Sequence, residues 1–285
     1  MYESFYGLRA RPFGKSPDPA FLYESRAHAE ALSRIVTAAE DRDLAVLTGV
    51  VGAGKTTLTR ALVDRLNDSF GERARVVLLV NPRLTPSELL GVFAERLGVD
   101  PRVVSRGAKT KTKLLDALLE RLFEIHQEGG LTLLVVDEAH LLPNKAVFEE
   151  LRLLLNLTLD DTALLGLLLV GQEELRTRLA KKDLRSFAQR IGVAFHLDAL
   201  DRVDVGAYVA HRLAVAGRDE PLFNDDALDL IHSASGGVPR RINVLCQAAL
   251  LVGFGLEARR IDRAVVDDVW RDLREHLGAA FEQGT

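Results

Sequence analysis

The sequence has little of what would place it among secreted or membrane proteins. Its single cysteine, Cys246, cannot form an intramolecular disulfide, and its first residues lack the apolar stretch and cleavage site of a signal peptide. The most apolar stretches, residues 162–170 and 244–256, are shorter than the ~20 residues that cross a bilayer. These absences predict a protein of the reducing cytoplasm that does not span a membrane.

Neither the charge balance nor the spacing of the histidines points to a particular ligand. The 41 acidic and 37 basic residues leave a formal net charge of -4, so a positive field over the whole protein is excluded and only a local basic patch could attract nucleic acid. The histidines lack the spacing of a metal site. Hydrophobic residues make up 47% of the 285 residues, which is typical of a globular protein with a substantial core.

Short apolar runs alternate with amphipathic patterns along the first two thirds of the sequence. The apolar runs are nearly continuous, as in strands buried on both faces, and lie at residues 45–48, 76–80, 132–136, 164–170 and 193–197. Helical patterns between them lie at residues 56–67, 86–97, 111–127, 145–155 and 173–180. This alternation predicts an α/β fold with a doubly wound, parallel, five-stranded sheet.

The last third of the chain has helical periodicity only. Apolar residues recur at three- and four-residue spacing over residues 204–216, 224–235, 240–254 and 261–277, which predicts a smaller all-α domain. We therefore expect a linker at residues 1–35, an αβα domain at residues 36–200 and a helical domain at residues 201–285.

A glycine-rich segment follows the first predicted strand and matches the phosphate-loop pattern G-x-x-x-x-G-K-[ST]. Its glycines let backbone N–H groups converge on phosphate oxygens, and the next helix directs its positive end to the same place. Lys55 is expected to reach the β- and γ-phosphates, and the Thr56 hydroxyl to hold Mg²⁺. The predicted ligands are ATP and Mg²⁺; the alternative is a glycine-rich turn with a surface lysine. The predicted nucleotide contacts are Gly49, Val50, Val51, Gly52, Ala53, Gly54, Lys55, Thr56 and Thr57.

A pair of acidic residues follows the third predicted strand. The backbone is expected to deliver Asp137 and Glu138 to the same edge of the sheet as the phosphate loop. Asp137 would accept a hydrogen bond from a Mg²⁺-bound water, and Glu138 would orient and deprotonate the attacking water. The alternative is that both acids only favour a helix N-terminus.

These motifs resemble those of the AAA+ ATPases, and the resemblance implies further roles. A polar residue that ends the fourth strand would sense the γ-phosphate, which points to Gln172, although Asn, Thr, Ser or Asp is commoner there. An arginine before the fifth strand would reach the nucleotide of a neighbouring subunit. Arg190 is the first candidate and Arg185 the second, with a surface role as the alternative.

The family's lid carries a Gly-x-Pro-Arg element, matched here by Gly237, Pro239 and Arg240. A proline at the start of a helix leaves its first turn facing the nucleotide, so Arg240 would touch the phosphates from the opposite side. The resemblance also implies a homo-oligomer that depends on nucleotide, with a hexamer as one arrangement.

The start of the chain resembles the ExeA/GspA-type secretion ATPases, and the resemblance extends to about residue 270. From the residues alone, the aromatic positions of this segment would be ordinary core residues, whereas the resemblance implies that the segment lies near the adenine. The matching positions are Gly7, Leu8, Pro12, Phe13, Pro17, Asp18, Pro19, Tyr23 and His28.

The family suggests a biological role and leaves two alternatives open. The sequence resembles the short members, without a membrane span or a peptidoglycan-binding part, which are expected in the cytoplasm or at the inner membrane through a partner protein. Such members would power or regulate secretion, pilus or exopolysaccharide assembly. One alternative is a DNA-associated ATPase acting in transposition or remodelling, with the basic run 106–113 on DNA phosphates. The other is a nucleotide-gated scaffold, against which Glu138 argues.

Overall fold

The computed structural model describes residues 1–14, 18–100, 102, 111–159 and 162–278. Contacts divide the chain into two compact units, which we name by their content. The sheet unit comprises Glu30–Gly49 and Thr59–His196. The helical unit comprises Met1–Ala29, Val50–Leu58 and Leu197–Thr285. The domain boundaries expected after residues 35 and 200 stay a prediction.

The sheet unit contains the predicted parallel five-stranded sheet. The five strands are β1 Leu44–Gly49, β2 Ala74–Leu79, β3 Leu131–Val136, β6 Gly166–Gly171 and β7 Ile191–Leu197. They lie in the order β2-β3-β6-β1-β7, and the pairs β2–β3, β3–β6 and β1–β6 are parallel. Every residue of β1, β3 and β6 is buried, which is why these segments have unbroken apolar runs. Burial on both faces was also predicted for β2 and β7, but these are the two edge strands and most of their residues are partly or fully exposed.

Helices follow the strands as the amphipathic patterns predicted. In the helix Lys111–Gln127, Leu114, Leu118 and Leu122 recur at four-residue spacing and are buried in the core of the sheet unit. The basic run begins outside the described residues, which resume at Lys111. The α-helices of this part of the chain follow α1 (Tyr2–Phe5) and are α2 Arg26–Glu40, α3 Lys55–Phe70, α4 Pro86–Arg96, α5 Lys111–Gln127, α6 Lys145–Leu154, α7 Glu173–Leu179 and α8 Arg185–Ala188.

Each of the five strands begins one or two residues away from its predicted start, and one hairpin was missed. The strand expected from residue 164 begins at Gly166, because the preceding residues close a small antiparallel hairpin of β4 Thr158–Leu159 and β5 Thr162–Ala163. Leu164 and Leu165 are nevertheless buried. The strand expected from residue 76 begins at Ala74. The boundaries differ because an apolar run indicates which residues are buried, whereas a strand begins where its hydrogen bonds to the neighbouring strand begin.

The helical unit confirms the all-helical prediction for the last third of the chain. Its core also takes in the N-terminal segment: Tyr6 and Phe13 are buried in it, and Arg212 Nε donates to the Pro12 carbonyl at 2.6 Å. Cys246 is fully buried in this core, and burial raises the pKa of its thiol. Within the described ranges, no helix is long and apolar enough to cross a bilayer. The helices are α1 Tyr2–Phe5, α9 Arg202–Val215, α10 Asp225–Ser235, α11 Pro239–Gly255 and α12 Arg263–Leu277.

Two adjacent glycines connect α10 to α11 and have different surroundings. Both have positive φ, +61° at Gly236 and +72° at Gly237. A Cβ on Gly237 would lie 2.0 Å from the Leu200 carbonyl oxygen, whereas the atom nearest to a Cβ on Gly236 is 4.0 Å away. The Gly237 carbonyl accepts a hydrogen bond from Leu200 N at 2.9 Å. Gly237 therefore brings the start of α11 against the backbone that leads into α9.

Replacing each glycine by alanine separates backbone strain from steric conflict. Gly236→Ala is expected to cost about 1 kcal/mol of unfolding free energy, because only the left-handed conformation is disfavoured. Gly237→Ala should cost at least ~2 kcal/mol more, because the methyl group also meets a carbonyl. Denaturant unfolding of both variants checks this. Equal losses would contradict the close approach of Gly237 to Leu200.

Candidate functional site

The glycine-rich loop follows β1 and ends where α3 begins at Lys55. Its Val50 carbonyl accepts from Ala53 N at 3.2 Å and from Lys55 Nζ at 2.8 Å. Gly52 and Gly54 have φ values of +85° and +100°, which glycine adopts without a steric penalty. Lys55 is 8% exposed, so its ammonium group is held against the loop backbone.

The first turn of α11 closes on this loop within the helical unit. Pro239 occupies the start of the helix, as predicted, and Arg240 N donates to the Gly52 carbonyl at 3.3 Å. A Cβ on Gly52 would lie 2.7 Å from Arg240 Cβ and 3.2 Å from Val238 Cγ1. Gly52 is thus required both by its φ and by the approach of the helix. The Arg240 side chain itself is exposed.

The N-terminal segment reaches the same loop through His28, which is 4% exposed. Its Nε2 lies 3.0 Å from the Ala53 carbonyl oxygen, and its Nδ1 lies 2.8 Å from Ser25 Oγ. A carbonyl oxygen only accepts, so Nε2 carries the proton. Burial lowers the pKa of His28, which favours the neutral ring with Nδ1 accepting from Ser25. Sequence reasoning placed this segment near the adenine and did not foresee a contact with the loop.

The acidic pair lies in the sheet unit, directly after β3. Asp137 is 9% exposed, and its Oδ1 accepts from Glu138 N at 2.9 Å. Glu138 adopts the left-handed conformation, with φ +51° and ψ +38°, which is uncommon for a residue other than glycine and typical of functional sites. Glu138 is the N-cap residue of the 3₁₀-helix Ala139–Leu141, although its side chain makes no capping hydrogen bond. The next α-helix, α6, begins at Lys145 and is capped by Asn144. The two interpretations of the acids, as catalytic groups or as residues at a helix N-terminus, both stay predictions.

The Glu138 carboxylate accepts a hydrogen bond from one side chain of the sheet unit and lies close to a second. Gln172 Nε2 donates to Glu138 Oε2 at 3.2 Å, and His140 Nε2 lies 3.5 Å from the same oxygen. The contact with Gln172 arises because β6, which Gln172 follows, pairs with β3 in the sheet. The structure thus brings together the predicted base and the predicted sensor. The structure also brings His140 to this carboxylate. The one sign of this in the sequence is that His140 lies two residues after Glu138.

The remaining predicted residues occupy the positions that the sequence indicated, and their roles stay predictions. Arg190 is exposed, immediately before β7, and Arg185 is exposed at the start of α8. Gly49 is the last residue of β1, while Thr56 in the first turn of α3 is exposed. Among the described residues, no group of three or more His, Cys, Asp or Glu side chains could hold a metal ion.

A parallel sheet whose first strand leads into a G-x-x-x-x-G-K-T loop defines a P-loop nucleoside triphosphatase fold. The sequence profile described as "AAA domain" matches residues 38–179. The chain is 40% identical over 263 residues to general secretion pathway protein A of Aeromonas hydrophila, covering 92% of this chain and 46% of that protein. The chain belongs to the AAA ATPase family that includes general secretion pathway protein A. It spans less than half the length of that relative.

Solved structures of the same fold come from more distant proteins. The ORC2 protein of Aeropyrum pernix, in complexes with ADPNP and ADP, has a TM-score of 0.70 at 22% identity, covering 92% of this chain and 71% of that one. The ORC1 protein of the same organism, in complex with DNA, has a TM-score of 0.66 at 20% identity, covering 94% and 70%. These likenesses support the AAA+ fold.

Proposed function

We propose that this protein binds Mg·ATP at residues 49–57 and hydrolyses it between subunits to power or regulate an envelope-assembly system such as secretion, pilus or exopolysaccharide export. The observation that carries the proposal is the glycine-rich loop with Lys55 held against its backbone. The loop fits a phosphate group, because Gly52 and Gly54 have the backbone conformations that such a cradle needs. One solved structure of the same fold, that of the ORC2 protein, is a complex with ADPNP and ADP.

Binding would proceed by an exchange of partners at Lys55. A phosphate oxygen offers the ammonium group a charge-assisted hydrogen bond, which is stronger than its present bond to the neutral Val50 carbonyl. The N–H groups at the start of α3 would face the same anion. The exposed guanidinium of Arg240, at the start of α11, would contact the phosphates from another side.

Hydrolysis would depend on Glu138 as the base that orients and deprotonates water. Gln172 donates to this carboxylate, so a γ-phosphate that engaged the Gln172 amide would change the hydrogen bonding of the base. Mg²⁺, held by the Thr56 hydroxyl and through water by Asp137, would neutralise charge on the phosphates. Both acidic residues follow β3, which runs parallel to β1 through β6, so the strands before the loop and before the acids end at one edge of the sheet.

Arg190 would complete the site of a neighbouring copy. A guanidinium supplied in trans neutralises charge that develops on the transferred phosphoryl group, and an exposed arginine directly before β7 has the freedom to reach another subunit. This role makes the active enzyme a nucleotide-dependent homo-oligomer, with a hexamer as one arrangement.

The envelope role rests on the 40% identity to a general secretion pathway protein, and the protein would act in the cytoplasm or at the inner membrane through a membrane-bound partner. The alternative is a DNA-associated ATPase. It draws on a solved structure of the same fold in complex with DNA. Its predicted contact, the basic run, falls mostly outside the described residues, and the net charge of -4 disfavours it.

The role of Glu138 predicts a variant that binds without turnover. Glu138→Gln removes the base and keeps the volume, so it should bind ATP while hydrolysing it at least ~100-fold more slowly. Steady-state phosphate release checks the rate, and calorimetry checks the binding. Glu174→Gln is the matched control, because this exposed glutamate lies on α7 close to Gln172 in the chain, and it should hydrolyse normally. Unchanged turnover in Glu138→Gln would remove Glu138 from this role.

The trans role of Arg190 predicts complementation between two inactive variants. Arg190→Ala should bind nucleotide without hydrolysing it, and Lys55→Ala should fail to bind. A mixture should regain part of the activity, because some interfaces then pair an intact loop with an intact arginine. Arg185→Ala mixed in the same way tests the second candidate. With co-assembly confirmed by size-exclusion chromatography, no recovery for Arg190→Ala would contradict its trans role.

The envelope role predicts that DNA leaves the ATPase unchanged. We expect the same turnover with and without duplex DNA at 50 and 200 mM salt. The ATP-bound Glu138→Gln protein should be retained by membrane extract and not by DNA. Stimulation by DNA that falls steeply with salt, as phosphate contacts require, would instead support the DNA-associated alternative.

A further inference from the structure

The N-terminal segment touches the phosphate-binding loop at one peptide group. We propose that His28 is a positioning residue, which holds the Ala53–Gly54 peptide so that its N–H group is directed toward a bound phosphate. This inference rests on the proposed function of the loop. Its observation is the 3.0 Å contact between His28 Nε2 and the Ala53 carbonyl oxygen, in a side chain that is 4% exposed.

The planarity of the peptide bond turns this contact into a constraint on the loop. The described residues contain no cis peptide bond, and in a trans peptide the C=O and the following N–H point in opposite directions. Fixing the Ala53 carbonyl on His28 therefore fixes the Gly54 N–H on the opposite side. The helix that starts at Lys55 directs its own N–H groups into the same loop.

Without this bond, the peptide has an alternative orientation. Gly54 has φ +100°, and glycine occupies the regions on both sides of φ 0° with little cost. A rotated Ala53–Gly54 peptide would present its carbonyl oxygen, which carries partial negative charge, to the phosphate. The hydrogen bond from His28 therefore opposes the one rotation that would convert a donor of the loop into a repulsive group.

The imidazole is itself held from two sides. Ser25 Oγ accepts from His28 N at 3.3 Å and lies 2.8 Å from Nδ1, so this serine both caps α2 and orients the ring. A Cβ on Gly54 would lie only 3.3 Å from Nε2, so glycine at residue 54 leaves the space that the ring needs. Elsewhere in the segment, Tyr23 Oη donates to Asp204 at 2.9 Å, which ties the same stretch of chain to α9.

The test compares four variants by their nucleotide affinity, turnover, hydrogen exchange and thermal stability. His28→Ala should raise the Kd for Mg·ADP and the KM for Mg·ATP about tenfold, with kcat at saturation within threefold, because the lost bond pre-organises binding. His28→Gln keeps an N–H donor of similar reach and should recover most of the affinity. Ser25→Ala should have an intermediate Kd. Hydrogen exchange of a peptide spanning residues 50–56, without nucleotide, should be faster in His28→Ala.

Asp262→Ala is the matched control, because it also removes one side-chain hydrogen bond within the helical unit, the one that caps α12, and not one to the loop. It should lower the Tm about as much as His28→Ala and leave the Kd unchanged. If the parent binds Mg·ADP and His28→Ala binds it equally, the inference is wrong while the proposed function stands. An equal loss of affinity in Asp262→Ala would also overturn it, since the effect would then be one of general stability. If the parent binds no nucleotide, the proposed function itself is wrong.

Discussion

The hydrogen bonding of three carbonyl groups in the glycine-rich loop is the constraint on which the rest of the account depends. The carbonyl of Val50 accepts from Lys55 Nζ and Ala53 N, that of Gly52 from Arg240 N, and that of Ala53 from His28 Nε2. The donors come from the loop and α3, from α11 and from α2. A loop whose carbonyls are engaged by the protein can offer its N–H groups to an anion, and two glycines with positive φ make that arrangement accessible.

The acidic pair depends on a different constraint, the order of the parallel strands. Because β6 pairs with β3, the residue that follows β6 meets the residues that follow β3, and Gln172 donates to Glu138. Glu138 holds a left-handed backbone conformation, which has a cost of about 1 kcal/mol or more. The strain at this residue is explained if the backbone conformation directs the carboxylate toward the proposed site. The hydrogen bond from the Gln172 amide to Oε2 gives the proposed base a defined position.

The sequence predicted those parts of the fold and site that local pattern determines. The five strands, the helical last third, the loop and the start of α11 at Pro239 follow from periodicity, glycine placement and proline chemistry, and the structure confirms them. Burial on both faces was predicted for all five strands and holds for β1, β3 and β6, but it was wrong for the edge strands β2 and β7. Contacts between distant residues could not be predicted in the same way. The bond of His28 to Ala53 joins residues 25 positions apart, and the 3.5 Å approach of His140 to Glu138 depends on side-chain positions that the sequence does not give. The roles of Arg190 and Arg185 depend on a second copy, and therefore stay predictions.

The central claim is that residues 49–57 bind the phosphates of Mg·ATP, with Lys55 exchanging the Val50 carbonyl for phosphate oxygens. Isothermal titration of the parent protein and of Lys55→Ala with magnesium and a non-hydrolysable ATP analogue tests it most directly. The account predicts saturable binding of one nucleotide per chain to the parent, and affinity weakened at least ~10-fold in Lys55→Ala. No heat of binding in the folded parent, or equal affinity in both proteins, would contradict it.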